Sequence, residues 1–546
     1  KERGDGFLYA PFADRERKLT DTTGEMRQED YRKIPVPFEV AEGFEVSLYA
    51  KDNLLGKPVQ MHWGYDGKLY VAVSASYPQL APGEEPNDLI MGIIDSDGDG
   101  VADLSHVVAD RLQIPTGLLM GDGGFYVAHG TELLHLRDTN NDGFTDVRMP
   151  MLSAFGTEDT HHLLHSLQWG MDGQMYMNQS IYIHSHVETP TGIRRLNSGG
   201  VWAYRPATSE LEVFLRGFCN PWGHIFDQYG QSFVTDGAGF QGVSWGVPGA
   251  MYFTYAGGTR LLDSISPGAY PKFSGLEVIE TPNFPADWQG DLITGDFRAH
   301  RIVRFKLEED GAGYVTREMP DLLRTTDVSF RPIDVKIGPD GALYIADWAN
   351  PIIQHGEVDF RDPRRDKSSG RIWRVTYKGG PVDFSPNYRY LPIPQLFDRV
   401  HSPNVQIRRA VMRSLAERPT EMFRVLPSWT AQQETELEKL RALWLYQSID
   451  RVNPPLLKEL LAAKDHRVRA AATRVLSLWS EWMEGSQELL AEQSSDSHPR
   501  VRIEALRGLA RTPSVASADL ILAATDLPMD RFVEYAAWLG INDVAD

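Results

Sequence analysis

QWGMDGQMYMNQS (168–180) reads as an apolar-alternating strand, a Gly/Asp turn in which Gly173 can take positive φ, and a second strand. The same unit recurs as HWGYDGKLYVAVS (62–74), LMGDGGFYVAHG (119–130), IFDQYGQSFVTDG (225–237), WQGDLITGDF (288–297) and KIGPDGALYIADW (336–348). Aligned on Tyr70, Tyr126, Tyr176, Phe233, Leu292 and Tyr344, the copies are 56, 50, 57, 59 and 52 residues apart. A strand-turn-strand unit at that spacing is the mark of a propeller, in which each four-stranded blade buries its faces against its neighbours. Six copies predict six blades, closing near Arg371–Tyr377; a β-sandwich accommodates six copies poorly.

Outward from the repeats the character of the chain changes twice. Residues 1–35 are polar and lack a sustained period, which predicts an arm; from Phe38, FEVAEGFEVSLYA alternates as a strand pair does, so the propeller is placed over 36–380. Gly379, Gly380, Pro381, Pro386 and Pro392 break the pattern, and 381–393 reads as a linker. Beyond it, Ser402–Leu415, Asp465–Leu476 and His498–Leu509 share one helical template, with a degenerate copy around Lys439–Leu445. Such repeats predict an all-α, HEAT-like solenoid over 394–546, with an apolar core and with the arginines after each template Val solvated or paired to neighbouring acids. The last stretch, Trp538–Asp546, reads as a further helix without a capping repeat, which suggests that the natural chain continues.

A net charge of −20 over 546 residues excludes a nucleic-acid backbone as partner, since that calls for a basic face. No apolar run approaches the roughly 20 residues needed to cross a bilayer. The single cysteine, Cys219, leaves the redox compartment unreported. The opening KERGDGFLYAPF is not a signal segment, so either the chain is cytoplasmic or a leader precedes it.

Two acidic loops carry the most specific pattern. Asp95, Asp97, Asp99 and Asp103, and Asp138, Asn140, Asp142 and Asp146, stand at positions 1, 3, 5 and 9 of loops with Gly at position 6. That spacing turns oxygens inward around a hard cation, which predicts a calcium staple on each of two neighbouring blades. Neither has a Glu at position 12, and a solvated Asx turn is the plainer alternative. The segment 157–190 gathers His161, His162, His165, His184 and His186, with Glu158, Asp159 and Glu188 the nearest carboxylates. His184 and His186 share one strand face and could hold a transition metal with a third histidine; a general base, a substrate binder or satisfied hydrogen-bonders are the other readings. From the equivalent place in other blades, Gln60, His62, Asn220, Trp222, Arg298, His300, Arg331 and Asp334 are expected to face the channel, and His401 and His466 to be structural.

THHLLHSLQWGMDGQMYMNQ, GFCNPWGHIFDQYGQSFVTDG and FRPIDVKIGPDGALYIADW resemble blades of the glucose/sorbosone dehydrogenase family, six-bladed propellers that oxidise sugars with pyrroloquinoline quinone. IDSDGDGVAD, IPTGLLMGDGGFYVA, FGTEDTHHLLHSLQWG and IYIHSHVETP resemble more closely the propeller-plus-HEAT membrane-bound dehydrogenases of planctomycetes, verrucomicrobia and Bacteroidetes, over about residues 38–510. The resemblance implies His162 as the base for the substrate hydroxyl, Asn220 as half of an Arg-Asn pair, Arg331 as a ligand of a quinone carboxylate, and Arg298 near the quinone-binding lysine. Cys219 stands where the family keeps the arginine of that pair, and the chain has no Cys-x-x-Cys-His for a c-type haem. The function expected is therefore a periplasmic or cell-surface sugar or polyol dehydrogenase with calcium as support. The alternatives are a non-redox lyase or hydrolase using His162, His184 and His186, and a binding module whose solenoid takes a protein partner on its concave face.

Overall fold

In four of the blades the Gly/Asp turn is locked by a carboxylate that reaches forward to its own second strand. The Tyr176 hydroxyl donates to Asp172 Oδ2 at 2.7 Å, and Tyr70–Asp66, Tyr126–Asp122 and Tyr344–Asp340 repeat the bond at 2.6, 2.7 and 3.1 Å. Gly173 follows the acid at φ 77°, which lets the chain reverse without a Cβ clash. Blades four and five carry Phe233 and Leu292 at the tyrosine position. There Asp227 accepts only backbone N–H groups, from Tyr229 and Gln231.

The computed structural model describes residues 16–18, 36–51, 53–237, 242–253, 261–267, 272–354, 357–382 and 387–545. Six antiparallel sheets form the ring. Their inner strands are Pro58–Trp63, Pro115–Gly121, His165–Trp169, Gly223–Phe226, Phe273–Val278 and Pro332–Ile337, each against the next, with the last returning to the first. Phe44–Lys51 supplies the outer strand of the sixth blade, pairing with Arg371–Tyr377 from Phe44↔Tyr377 to Lys51↔Arg371, so the ring is closed by its two ends. Phe38–Val40 instead pairs with Leu323–Thr325 of the fifth blade. The two early strands therefore serve different blades and not one hairpin. Of the expected N-terminal arm only Glu16–Lys18 lies within the described residues, as an edge strand on Leu104–His106.

Wedges of aromatic and aliphatic side chains fill the gaps between blades. Tyr344 stands edge-on to Tyr49 and Trp63 where blades six and one meet, and Trp202 and Trp373 are fully buried. Truncating side chains of this size typically costs about 3–5 kcal/mol each.

Helices run from Ile393–Phe397 to Arg531–Ala545. Asn404, Thr435, Asp465 and Ser514 cap four of them, and Pro419, Pro454 and Pro499 sit in first turns, where no N–H is needed. Of the template arginines, Arg469 pairs with Asp496 at 2.7 Å and Arg502 holds the Asp496 and Pro528 carbonyls, but Arg408 reaches Glu280 of the propeller. Arg409 binds both oxygens of Glu277, Arg413 pairs with Asp122, and Arg511 pairs with Glu212. The arginines thus pair with acids, as expected, and several of those acids belong to the underside of the ring.

Candidate functional site

Hydrogen bonds, mostly from side chains, sew neighbouring blades together around the axis. Gln60 Oε1 accepts from Leu118 N at 2.9 Å, Thr116 Oγ1 donates to the Leu164 carbonyl at 2.6 Å, and Asp334 Oδ2 accepts from Met61 N at 3.1 Å. Asn178 donates to the Pro221 carbonyl, Gly275 N to Trp222 O and Ser274 Oγ to Ile333 O, which completes the six junctions. Gln60 and Asp334 are therefore clasps of the ring, not ligands at its mouth. Between them the axis narrows to about 10 Å³, room for no more than one water.

Above this neck the ring opens into a cleft of about 670 Å³ lined by His161, His162, Asn220, Trp222, Lys272 and Arg298, with Tyr77, Tyr182 and Trp348 as aromatic walls. Five expected residues thus share one cavity. His162 is almost fully buried, and its Nδ1 lies 3.0 Å from Asp159 Oδ2. His161 meets the other oxygen through its backbone N–H at 2.9 Å and its ring Nδ1 at 3.2 Å. Burial alone would raise the Asp159 carboxyl, but the hydrogen bonds from His161 and His162 outweigh it and hold the group well below the usual carboxylate range. With an anion at Nδ1, the lone pair of His162 falls on Nε2. His165 lies below, stacked on Trp222 with centroids 3.9 Å apart and planes 2° apart, and bonded to Ser180 and Ser166. Burial and the nearby His162 push its pKa well down, so it is a neutral spacer that sets the Trp222 floor.

Two cations, Lys272 and Arg298, line the same cleft as His162. Burial, and secondly Arg298, lower the Lys272 ammonium pKa, against the opposing pull of Cys219 and Asp236. Asp236 is itself committed to the turn that carries Cys219 and Asn220, accepting both backbone N–H groups at 2.9 and 2.8 Å. Cys219 has its thiol pushed up to about 12 by burial, so it brings no charge, and Lys272 supplies the cation beside it. Among the described residues, Asn220 Oδ1 is buried without a hydrogen-bond partner and wants a donor.

The other expected residues lie elsewhere. Arg331 is buried, and its guanidinium donates to the carbonyls of Phe297 (2.8 Å), Asn350 (2.8 Å) and Pro351 (3.2 Å), with burial lowering its pKa to about 10; it braces the loop behind the cleft and does not line it. His300 Nδ1 sits 3.0 Å from the Phe330 carbonyl beside that guanidinium. His62 is at the far end of the axis, in a cavity of about 80 Å³ closed by the helix Val405–Ala416, because its strand runs from mouth to base. His184 and His186 share one exposed strand face, as expected, but His184 bonds Glu158 at 3.2 Å, and no metal-ligand geometry joins them to His161, His162 or His165 among the described residues.

Among the described residues, one group has the geometry for a cation: Asp95, Asp97 and Asp99 place carboxylate oxygens within 4.8 Å of one another. Asp103 turns away from it to accept from Ser96 N at 2.9 Å, and Asp146 does the same with Thr139 N at 2.9 Å. In the second loop Asp138 accepts from Asp142 N and Gly143 N, and Asn140 Nδ2 donates to Asp142 Oδ2 at 3.4 Å. The ninth position thus accepts from the N–H of the second residue of its own loop in both cases.

Sequence reasoning misses Lys272, Tyr77, Tyr182 and Trp348. They flank the inner and second strands, where no repeat marks them. Asp159 enters that reasoning only as a nearby carboxylate; its spacing of three from His162 carries the signal.

A closed ring with a polar mouth cleft and a docked helical array defines the class: a six-bladed β-propeller with a HEAT solenoid, the latter matching HEAT repeats over residues 453–541. The chain belongs to the family described as a domain of unknown function, DUF7133, matched over residues 35–245 and 249–379. No curated protein matches it. Solved structures similar to it include an oxidoreductase of Thermus thermophilus described as a glucose dehydrogenase, with 19% identity, 61% of this chain and 100% of that one covered, and a TM-score of 0.42. The quinone domain of pyranose dehydrogenase from Coprinopsis cinerea is similar at 12% identity, with 63% and 98% covered and a TM-score of 0.44. The quinone-bound aldose sugar dehydrogenase of Streptomyces coelicolor is similar at 14% identity, with 62% and 100% covered and a TM-score of 0.41. No described helix is long and apolar enough to cross a membrane.

Proposed function

We propose that the mouth cleft oxidises a hydroxyl-bearing carbon of a carbohydrate or other polyol, with His162 as general base. The observation that carries this reading is that His162, with Asp159 3.0 Å from its Nδ1, lines one cavity with Lys272 and Arg298. The substrate hydroxyl gives its proton to His162 Nε2, and Asp159 steadies the imidazolium that results. Asn220 Oδ1 takes a second hydroxyl as donor, and Trp222 forms the floor. Lys272 and Arg298 would hold the carboxylates of pyrroloquinoline quinone, and the donor set suits that group because two cations line the cavity and the Cys219 thiol beside them is neutral. When bound, the quinone supplies the two-electron acceptor for the hydride leaving the carbon. Calcium in the Asp95–Asp97–Asp99 loop would staple the first blade at a distance from the chemistry.

The test is dye-linked oxidation of a polyol panel by the full chain loaded with quinone and calcium. Activity is expected, with His162→Ala lowering kcat by about 10²–10⁴. Absence of turnover across the panel, or equal turnover in His162→Ala, overturns the reading.

A further inference from the structure

Tyr182 stands out among the cleft residues. It is 59% exposed although large and aromatic, and its backbone sits at φ 72°, a region that costs any side-chain-bearing residue energy. Its ring meets that of His162 edge-on at 5.6 Å. Strain and exposure kept together beside the proposed base point to a use for the ring itself.

Directly after Tyr182 the third blade inserts a ribbon between its second and third strands: His184–Thr189 paired with Gly192–Asn197. One face of it is packed inward through Ser185, Val187 and Leu196, whereas the other presents His184, His186 and Glu188 opposite Asn197, Arg195 and Ile193. The ribbon is held stiffly. Gln179 donates to the carbonyls of Ile183, Leu196 and Ser198 and accepts from Ser185 Oγ at 2.6 Å. It is also tied to the loop that carries Asp159 and His162, by Gly156 N to Ser185 Oγ at 3.0 Å, His186 N to the Ala154 carbonyl at 3.2 Å, and His184 Nδ1 to Glu158 at 3.2 Å. A rigid outward face rich in donors and acceptors, entered over an exposed aromatic ring, suits a chain of flat hydroxylated rings: C–H faces stack on the aromatic, and hydroxyl edges meet the ribbon.

Resting on the proposed oxidation at His162, we infer that the substrate is the end of an oligosaccharide chain, its terminal ring in the cleft and the following rings on Tyr182 and the exposed ribbon face. Tyr182 and the ribbon are then determinants of chain length.

The test measures dissociation constants of the quinone-free full chain by calorimetry, so that binding is read apart from turnover. The probes are one-, two- and four-unit members of a β-linked glucan series and of an oligouronate series. In at least one series the four-unit member is expected to bind tenfold or more tighter than the single unit. Tyr182→Gly, which relieves the backbone, should reduce that ratio by roughly three- to tenfold, the worth of one aromatic contact. A His186→Ala/Arg195→Ala double variant, on the exposed face, should lower the ratio further. Equal affinity along both series, no binding by any member, or a ratio unmoved in Tyr182→Gly overturns the inference. Length-dependent binding by a protein that oxidises none of the probes would refute the oxidation and leave the extended subsite standing.

Discussion

Arg500 offers the sharpest test of how the solenoid is fixed to the ring. Its side chain is fully buried at the start of the helix Pro499–Arg511 and crosses to the fifth blade. There Nε donates to the Ala312 carbonyl at 2.7 Å, Nη2 to Gly313 O at 2.8 Å and Nη1 to Glu309 Oε1 at 2.5 Å, with the guanidinium 4.2 Å from the Tyr314 ring centroid. Arg500→Met keeps most of the apolar stem and removes every donor. Two carbonyls lose a charged donor at about 1.5–3 kcal/mol each. Glu309 is 41% exposed, so its ion pair adds under about 1 kcal/mol. The expected loss is about 3–6 kcal/mol, read from urea unfolding of the full chain by tryptophan emission, to which Trp245 contributes from 5.9 Å. Glu309→Gln should cost under about 1 kcal/mol. A loss below about 1 kcal/mol in Arg500→Met, or an equal loss in Glu309→Gln, would refute the assignment of this anchor to the two carbonyls.

Three further outcomes follow from the same structure. Burial foremost, then nearby cations, lowers His62 and His224 to about 3 and His106 to about 4. The unfolded chain therefore takes up these protons first, and stability should be full above pH 6.5 and fall as the pH drops towards 4, opposed by Asp227, which burial raises to about 6, and by Asp95, Asp291, Asp321 and Asp334, which burial also raises; a melting temperature flat from pH 7 to 4.5 would contradict this. Gly275, at φ 69° on the fifth inner strand, leaves no space for a Cβ, which would come 2.7 Å from Asp334 Cα; Gly275→Ala should cost about 3 kcal/mol or more in chemical denaturation, and a neutral result would mean the junction of blades five and six yields. Calcium added back after chelation should raise the melting temperature in a concentration-dependent way, and Asp97→Asn should abolish the rise; an unchanged midpoint in the parent protein would remove the cation from the first blade.

The ring was legible because its signal is local and repeated. The Gly-Asp-Gly turn and the tyrosine four residues after the acid make the same hydrogen bond in four blades, so pattern and cause coincide. Closure was harder to place, because the partner of Arg371–Tyr377 lies more than 300 residues earlier, at Phe44–Lys51, and pairing at that distance leaves no periodic trace. At the site, blade equivalence correctly brought His161, His162, Asn220, Trp222 and Arg298 together. It failed for His62, since residues two apart share a strand face but not a height along the axis. It failed for Arg331 because an arginine at a strand end can serve carbonyls behind the wall as readily as a ligand in front. Lys272 left no motif, and only the fold brings it into the cavity that His162 lines.

The most direct measurement is an equilibrium titration of the purified chain with pyrroloquinoline quinone, followed by the cofactor's absorbance. One saturable site is expected, weakened tenfold or more in Lys272→Met and unaltered in His62→Gln at the far end of the axis. Failure to bind the quinone, or equal binding in Lys272→Met, would contradict the claim that the mouth cleft is the seat of the chemistry.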